Sequence, residues 1–277
     1  NGIVTAEDGK KMSKRLKNYP SPVLVVDSHG ADALRLYLIN SPVVRAQDLA
    51  FKEAGVKGVV RDVLLPWYNA YRFFVQSARR FPGVTGKAFL PNESIATTAS
   101  NQMDCWLLAS LQTLIKTVHV EIGENYKLYN VAPPLVAYLD QITNWYLRLN
   151  RDRLKGDGNT EKDWHDALST TYTVLLNMCI AMAPVTPFIV EHMFQNLKRI
   201  APKEQRVDSV HYLMMPQPIE GASNPAIESA VQTMQNIING GRKVREQQKK
   251  SMKQPLKACV IVAQEHQLAE AKQLEEY

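Results

Sequence analysis

The sequence predicts a mainly α protein. Its expected architecture is an antiparallel helix bundle, with a short strand and loop at the start and the beginning of a small α/β unit at the end. Three observations predict it. Apolar residues recur at three- and four-residue intervals through most of the chain between residues 51 and 200. Proline, glycine and loop-forming residues punctuate those stretches at helix-sized intervals. The β-leaning segments, residues 1–6 and 256–264, both lie near the chain's extremes.

Taken in order, Asn1 to Ala6 reads as the tail of a strand, followed by a turn at Glu7-Asp8-Gly9. Ser21-Pro22 sets an N-cap followed by proline at the first helical position, and Gly30 ends that helix. Asp32 can start the next, which stops before Pro42. Residues 51–81 have a helical pattern in which Pro66 predicts a kink, and residues 82–100 read as a loop. Met103, Leu107, Leu111, Leu114, Val118 and Ile122 then form one apolar helical face. Val131, Leu135, Tyr138, Leu139, Ile142, Trp145 and Leu149 form another, in a helix over residues 130–155 that tolerates Pro133 and Pro134 in its opening turn. Leu168 to Met182 marks a third helix, and Pro187 opens a fourth that runs to about Ile200. Beyond a proline-rich connection over 201–222, Ile227, Val231, Met234 and Ile238 open a helix that Gly240-Gly241 can bend. "LKACVIVAQ", residues 256–264, reads as a strand leading into a charged helix.

Composition narrows the functional classes. The 277 residues are 45% hydrophobic and 22% charged, enough for a sizeable core. No apolar run reaches the roughly 18 residues of a membrane span, and no signal-peptide pattern is visible. Cys105, Cys179 and Cys259 are widely separated and include no Cys-x-x-Cys, which fits a reducing, cytosolic compartment and gives no metal site. The sequon at Asn92 reads as chance, and His119-x-Glu121 lacks the cysteine pair of a zinc deaminase. Net charge is +6, which favours an anionic partner. The half strand at Asn1 and the charged helix ending at Tyr277 read as cut from something longer.

Three basic clusters are candidates for chemistry. Lys10, Lys11, Lys14, Arg15 and Lys17 crowd a loop around Met12-Ser13. Such a loop can close on a phosphate chain with mobile point charges, or it can be a solvated surface loop. On the helix at 130–155, Asn144, Arg148, Arg151 and Lys155 form a polar stripe beside Trp145, Tyr146 and Arg153. Guanidinium groups beside aromatic rings suit single-stranded RNA, whose unstacked bases lie on both kinds of plane. The alternative is a solvated face, and Trp145 continues the apolar stripe and reads as core. The segment 242–257, which includes Arg242 and Arg245, fits either an exposed charged helix or a surface that tracks an RNA backbone. Arg35 reads as structural, paired with Asp32 one turn earlier.

The order of motifs resembles class I aminoacyl-tRNA synthetases. "KMSKR" is similar to their Lys-Met-Ser-Lys-Ser signature, with Arg15 where the signature has serine. "NGIVTAEDGKKMSKRLKNYPSPV" and "GADALRLYLINSPV" follow in the family's order. "LPWYNAYRFF" and "TNWYLRLNRDRLKG" resemble the anticodon-binding helices of its isoleucyl branch in eukaryotic cytosol, and "GRKVREQQKKSMKQPLKACVIV" resembles the segment beyond them. The resemblance implies that Lys14 meets ATP phosphates with Lys11 as helper, while Met12 and Ser13 shape the turn. With the stripe and the basic tail, the candidate tRNA contacts are Asn144, Arg148, Arg151, Arg153, Lys155, Arg242 and Arg245, and the resemblance favours Arg148 and Arg151 among them. ATP with magnesium, isoleucine and its tRNA are the implied substrates of the parent enzyme, and membership of a larger synthetase complex stays open. The expected divisions are residues 1–19 as the end of the catalytic domain, 20–50 as stem-contact helices, 51–220 as the anticodon-binding bundle and 221–277 as the start of an α/β domain. The chain has no His-Ile-Gly-His type signature, so it is expected to be inactive alone. A valyl or leucyl relative, a stand-alone RNA-binding module and a ligand-free structural bundle are the rival readings.

Overall fold

The computed structural model describes residues 1–157 and 160–277. Strand β1 (Val4–Thr5) pairs in parallel with β2 (Leu49–Ala50), Val4 opposite Leu49. The chain passes so close to residue 47 that a Cβ on Gly2 would lie 1.8 Å from the Gln47 carbonyl oxygen. Between the strands lie α1 (Pro22–His29) and α2 (Ala31–Ile39). Pro22 opens α1 as its fixed φ predicts, but the Ser21 hydroxyl makes no capping bond.

The Asp-Ala-Leu-Arg segment is structural, with partners other than those the spacing suggested. Arg35 donates to the carbonyls of Pro184 (2.7 Å) and Val185 (3.1 Å) rather than to Asp32. The buried Asp32 carboxylate accepts from the backbone N–H groups of Phe188 and Ile189, at 3.2 and 2.7 Å. A turn between two helices leaves carbonyls on one side and N–H groups on the other unsatisfied, and this pair of side chains satisfies both.

Helix α3 (Glu53–Val59) runs through a π-helical turn at Val60–Leu64 into α4 (Leu65–Thr85). Pro66 therefore sits in the first turn of α4, and the widened turn accommodates its missing N–H. The helix also continues through Pro82 and ends at Gly86 (φ 72°), so the expected loop begins later and contains the short α5 (Ile95–Thr98). Helix α6 (Gln102–Val118) is capped by the Asn101 side chain. Its predicted stripe is buried from Met103 through Val118, but Ile122 is 41% exposed because a π turn at His119–Glu124 rotates it out of register.

The helix expected at 130–155 is broken into pieces. Helix α7 (Ala132–Asp140), a π turn at Gln141–Tyr146 and α8 (Leu147–Leu149) lead to a break at Asn150. A single turn, α9 (Arg151–Lys155), follows and ends at Gly156 (φ 76°). A Cβ there would lie 2.6 Å from the Trp164 ring. Gly156→Ala is expected to cost about 2–3 kcal/mol, from the left-handed backbone and the clash together. Urea unfolding should show a lower midpoint with unchanged slope.

Helix α10 (Glu161–Met182) is the central element and packs against α4, α6, α9 and α11 (Pro187–Leu197). Helix α12 (Pro225–Gln247) passes Gly240-Gly241 without interruption and lies on α6, with α13 (Glu265–Gln273) against it. Residues 256–264 form no strand. No neighbouring segment among the described residues offers them a ladder, and Val260 and Val262 are 86% and 94% exposed. A β-branched run without a partner strand has nothing to bond its backbone. No helix among the described residues is long and apolar enough to cross a membrane.

Candidate phosphate loop and nucleic-acid interface

Asn18 braces the basic loop. Its side-chain oxygen accepts from Ser13 N–H at 2.9 Å and its amide donates to the Lys11 carbonyl at 3.1 Å, which ties the two limbs together. Met12 packs against the hydrophobic core, and Gly9 (φ 77°) makes the entry turn. Lys10 is engaged by Asp8 at 3.2 Å. Lys11, Lys14 and Arg15 are exposed, and none pairs with a carboxylate among the described residues. Two anchored residues, Met12 and Ser13, thus sit between two uncompensated ammonium groups.

A second site lies on the bundle. A groove of about 530 Å³ opens between α4 and the segment 143–151, and Asn69, Phe73, Asn144, Arg148 and Arg151 line it. The Arg151 guanidinium lies over the Phe73 ring, 5.7 Å from its centroid. Arg148 is exposed without an acidic partner among the described residues. The Asn144 amide donates to Asp140 at 2.6 Å, which fixes its rotamer and leaves its carbonyl oxygen as an acceptor. The groove therefore joins two cations, one ring and two amides. Of its residues, Asn69 and Phe73 escaped the sequence reading, because they belong to a different helix over 70 positions earlier.

Trp145 is buried, as its place in the apolar stripe predicts, and the Arg242 guanidinium lies 5.4 Å from its ring centroid. Arg242 is thereby held against the same helical segment, with its charge uncompensated by any carboxylate among the described residues. Lys155 lies outside the groove and faces Asp152 at 3.5 Å. Arg245 is turned to the chain's own backbone and donates to the carbonyls of Ser251 and Gln254, both at 2.9 Å.

Arg153 departs most from expectation. Its side chain is only 11% exposed and meets Asp104 at 2.9 Å and Asp163 at 2.7 Å. It also donates to the Asn150 side chain at 2.7 Å, and the Tyr146 hydroxyl donates to Asp104 at 2.6 Å. Burial opposes the charge of Arg153, but the bonds to Asp104 and Asp163 outweigh it and hold the guanidinium above its ordinary value. Burial, reinforced by the Asp104 charge, pushes the Tyr146 phenol well above the usual range. A guanidinium committed to two carboxylates inside the fold has no donors left for RNA.

The described residues thus form a helical bundle with a cationic, ring-lined groove and a braced lysine loop at its start. Residues 104–260 match the family described as "Anticodon-binding domain of tRNA ligase", and residues 1–50 match "tRNA synthetases class I (I, L, M and V)". The chain belongs to the family of tRNA ligase anticodon-binding domains. It is 52% identical to the probable cytoplasmic isoleucine–tRNA ligase of Dictyostelium discoideum, over 100% of this chain and 26% of the relative. It is 48% identical to the cytoplasmic isoleucine–tRNA ligase of Mus musculus, over 100% of this chain and 22% of that protein. The Saccharomyces cerevisiae counterpart is 45% identical, over 100% and 26% respectively. The chain thus spans about a quarter of the length of the curated relatives it matches. Its fold is similar to that of Mycobacterium tuberculosis methionyl-tRNA synthetase in complex with methionyl-adenylate (TM-score 0.55, 21% identity), over 78% of this chain and 41% of that one. It is also similar to a LeuRS of Agrobacterium radiobacter K84 in a ternary complex with tRNA and LeuAMS (TM-score 0.54, 19% identity), over 80% of this chain and 24% of that one.

Proposed function

We propose that this chain serves a cytoplasmic isoleucine–tRNA ligase in two ways: its basic loop holds ATP phosphates during isoleucine adenylation, and its bundle receives the anticodon loop of the tRNA. The observation that carries the second role is the groove in which Arg148, Arg151, Phe73, Asn69 and Asn144 converge. An extruded base can stack on the ring, the cations can meet its flanking phosphates, and the amides can bond its edges. Residues 1–19 act as the phosphate loop, 20–50 as the stem-contact helices, and 51–220 as the anticodon-binding bundle. Residues 221–277 add Arg242 beside Trp145 and continue past the bundle. In the loop, Lys14 and Lys11 are the groups that reach the phosphates of the magnesium–ATP substrate, while Met12 and Ser13 hold the turn. The names of the relatives favour isoleucine over valine or leucine, and the match over residues 1–50 favours a ligase over a stand-alone RNA-binding module.

The chain should bind isoleucine tRNA with marked salt dependence. If about three cations (Arg148, Arg151 and Arg242) neutralise phosphates, the log–log salt slope is near −2, at roughly −0.7 per contact on single strands. Replacing Arg148 and Arg151 together with alanine should flatten it by about 1.4 units. Folding should be nearly unchanged, since exposed arginines contribute a few tenths of a kcal/mol. Equal affinity for a tRNA with an unrelated anticodon, together with an unchanged slope in the double variant, would leave the bundle as a generic basic scaffold.

A further inference from the structure

We propose that Arg153 is a positioning residue for RNA recognition: its buried cage fixes the single helical turn that presents Arg151 to the groove. Helix α9 has only five residues, between the break at Asn150 and the glycine at 156. An isolated turn of that length does not hold its own conformation, because nucleation fixes several residues for one hydrogen bond. Its orientation must come from tertiary anchors, and these are present. Arg153 reaches Asp104 on α6 and Asp163 on α10, and its third partner is the Asn150 side chain at the break itself. The Asn150 amide in turn donates to the Tyr146 carbonyl at 3.0 Å, which fixes the break from the other side. Leu154 is fully buried, and its carbonyl accepts from the Trp164 indole at 2.9 Å.

Arg151 stands two residues before Arg153, about 200° around the turn at 100° per residue. When Arg153 points into the bundle, Arg151 is directed to the opposite side, where it is exposed and lies over Phe73. The cage demands arginine rather than any cation. Its planar fork bonds Asp163 through Nε and Nη2 while Nη1 and Nη2 bond Asp104, an arrangement a lysine ammonium cannot reproduce.

This inference rests on the groove's being an RNA site, and the test separates the two. Arg153→Lys keeps the charge and removes the fork. Binding of the isolated anticodon stem-loop of isoleucine tRNA would be measured for this chain, for R151A, for R153K and for the double variant. R151A should bind about tenfold more weakly and R153K about fivefold more weakly, whereas R153K added to R151A should cost less than twofold. R153K should also flatten the salt slope by about 0.7 although the number of charges is unchanged, a result that lowered stability alone does not produce. A readout independent of RNA is NMR: the ring-current shift of the Arg151 side-chain protons over Phe73 should collapse in R153K. Asp163→Asn loosens the same cage from its partly exposed side and should reproduce the pattern if R153K fails to fold. A fivefold loss that persists in the R151A background, or an unmoved Arg151 shift, overturns the positioning role. A wild-type chain that does not bind the stem-loop overturns the groove reading, and the unmoved or collapsed shift still decides what Arg153 does to Arg151.

Discussion

Replacing Lys14 with alanine in the full-length ligase is expected to slow isoleucyl-adenylate formation by roughly 10²–10³-fold, with little change in ATP affinity. On the proposed phosphate role, the loss falls on the rate. Asn18 holds the backbone of Ser13 and Lys11, and Met12 packs against the core, so the loop is braced on both sides of Lys14's turn. Lys14 is exposed and its charge is not spent on a neighbouring acid, in contrast to Lys10 on Asp8. In adenylation, negative charge shifts toward the departing pyrophosphate as the bond to the α-phosphate breaks. A cation aimed there stabilises the transition state more than bound ATP, and one such contact is worth about 3–4 kcal/mol. Pyrophosphate exchange driven by isoleucine measures it. Near-normal turnover in the variant would remove Lys14 from the phosphate site. The isolated chain, which lacks the histidine signature that acts from the opposite side in this family, should show only background exchange.

How far the residues alone announce this arrangement depends on whether local periodicity decides it. Met103 to Val118 and Leu168 to Met182 are buried where the spacing puts them, because a regular helix repeats faithfully over four or five turns. Ile122 is lost from that pattern because a π turn inserts an extra residue, and nothing in the composition of "HVEIGE" announces one. The same limitation divides the polar stripe. Arg148 and Arg151 reach the groove, whereas Arg153, about 200° from Arg151 on the same turn, faces inward. Spacing puts Arg153 on the face opposite Arg151, but it cannot show that two carboxylates wait there. The acids that capture Arg153 come from residues 104 and 163, on two other helices. Residues 256–264 show a different limit: β propensity describes fitness for a sheet, and a sheet needs a second strand.

Asp104→Asn is expected to lower the unfolding free energy by about 3–5 kcal/mol, the usual cost of breaking a buried ion pair by removing one partner. Asp104 is fully buried and sits in the first turn of α6, where the helix N-terminus favours a negative charge. The change removes that charge and turns an amide N–H₂ toward groups that are themselves donors. Arg153 keeps only Asp163 as an ionic partner, and the amide's one remaining oxygen cannot serve the Tyr146 hydroxyl and both Arg153 nitrogens as the two carboxylate oxygens do. Asp163→Asn should cost much less, about 1 kcal/mol, because that carboxylate is 31% exposed and water can compensate for its loss. The order of the two effects follows from burial rather than distance, since the Asp163 contact is the shorter one at 2.7 Å against 2.9 Å. Urea unfolding of the two variants measures both, with the slope as a check that compactness is unchanged. Equal costs for the two aspartates would mean that water reaches Asp104 as readily as Asp163. The cage would then be too weakly held to fix the turn that carries Arg151.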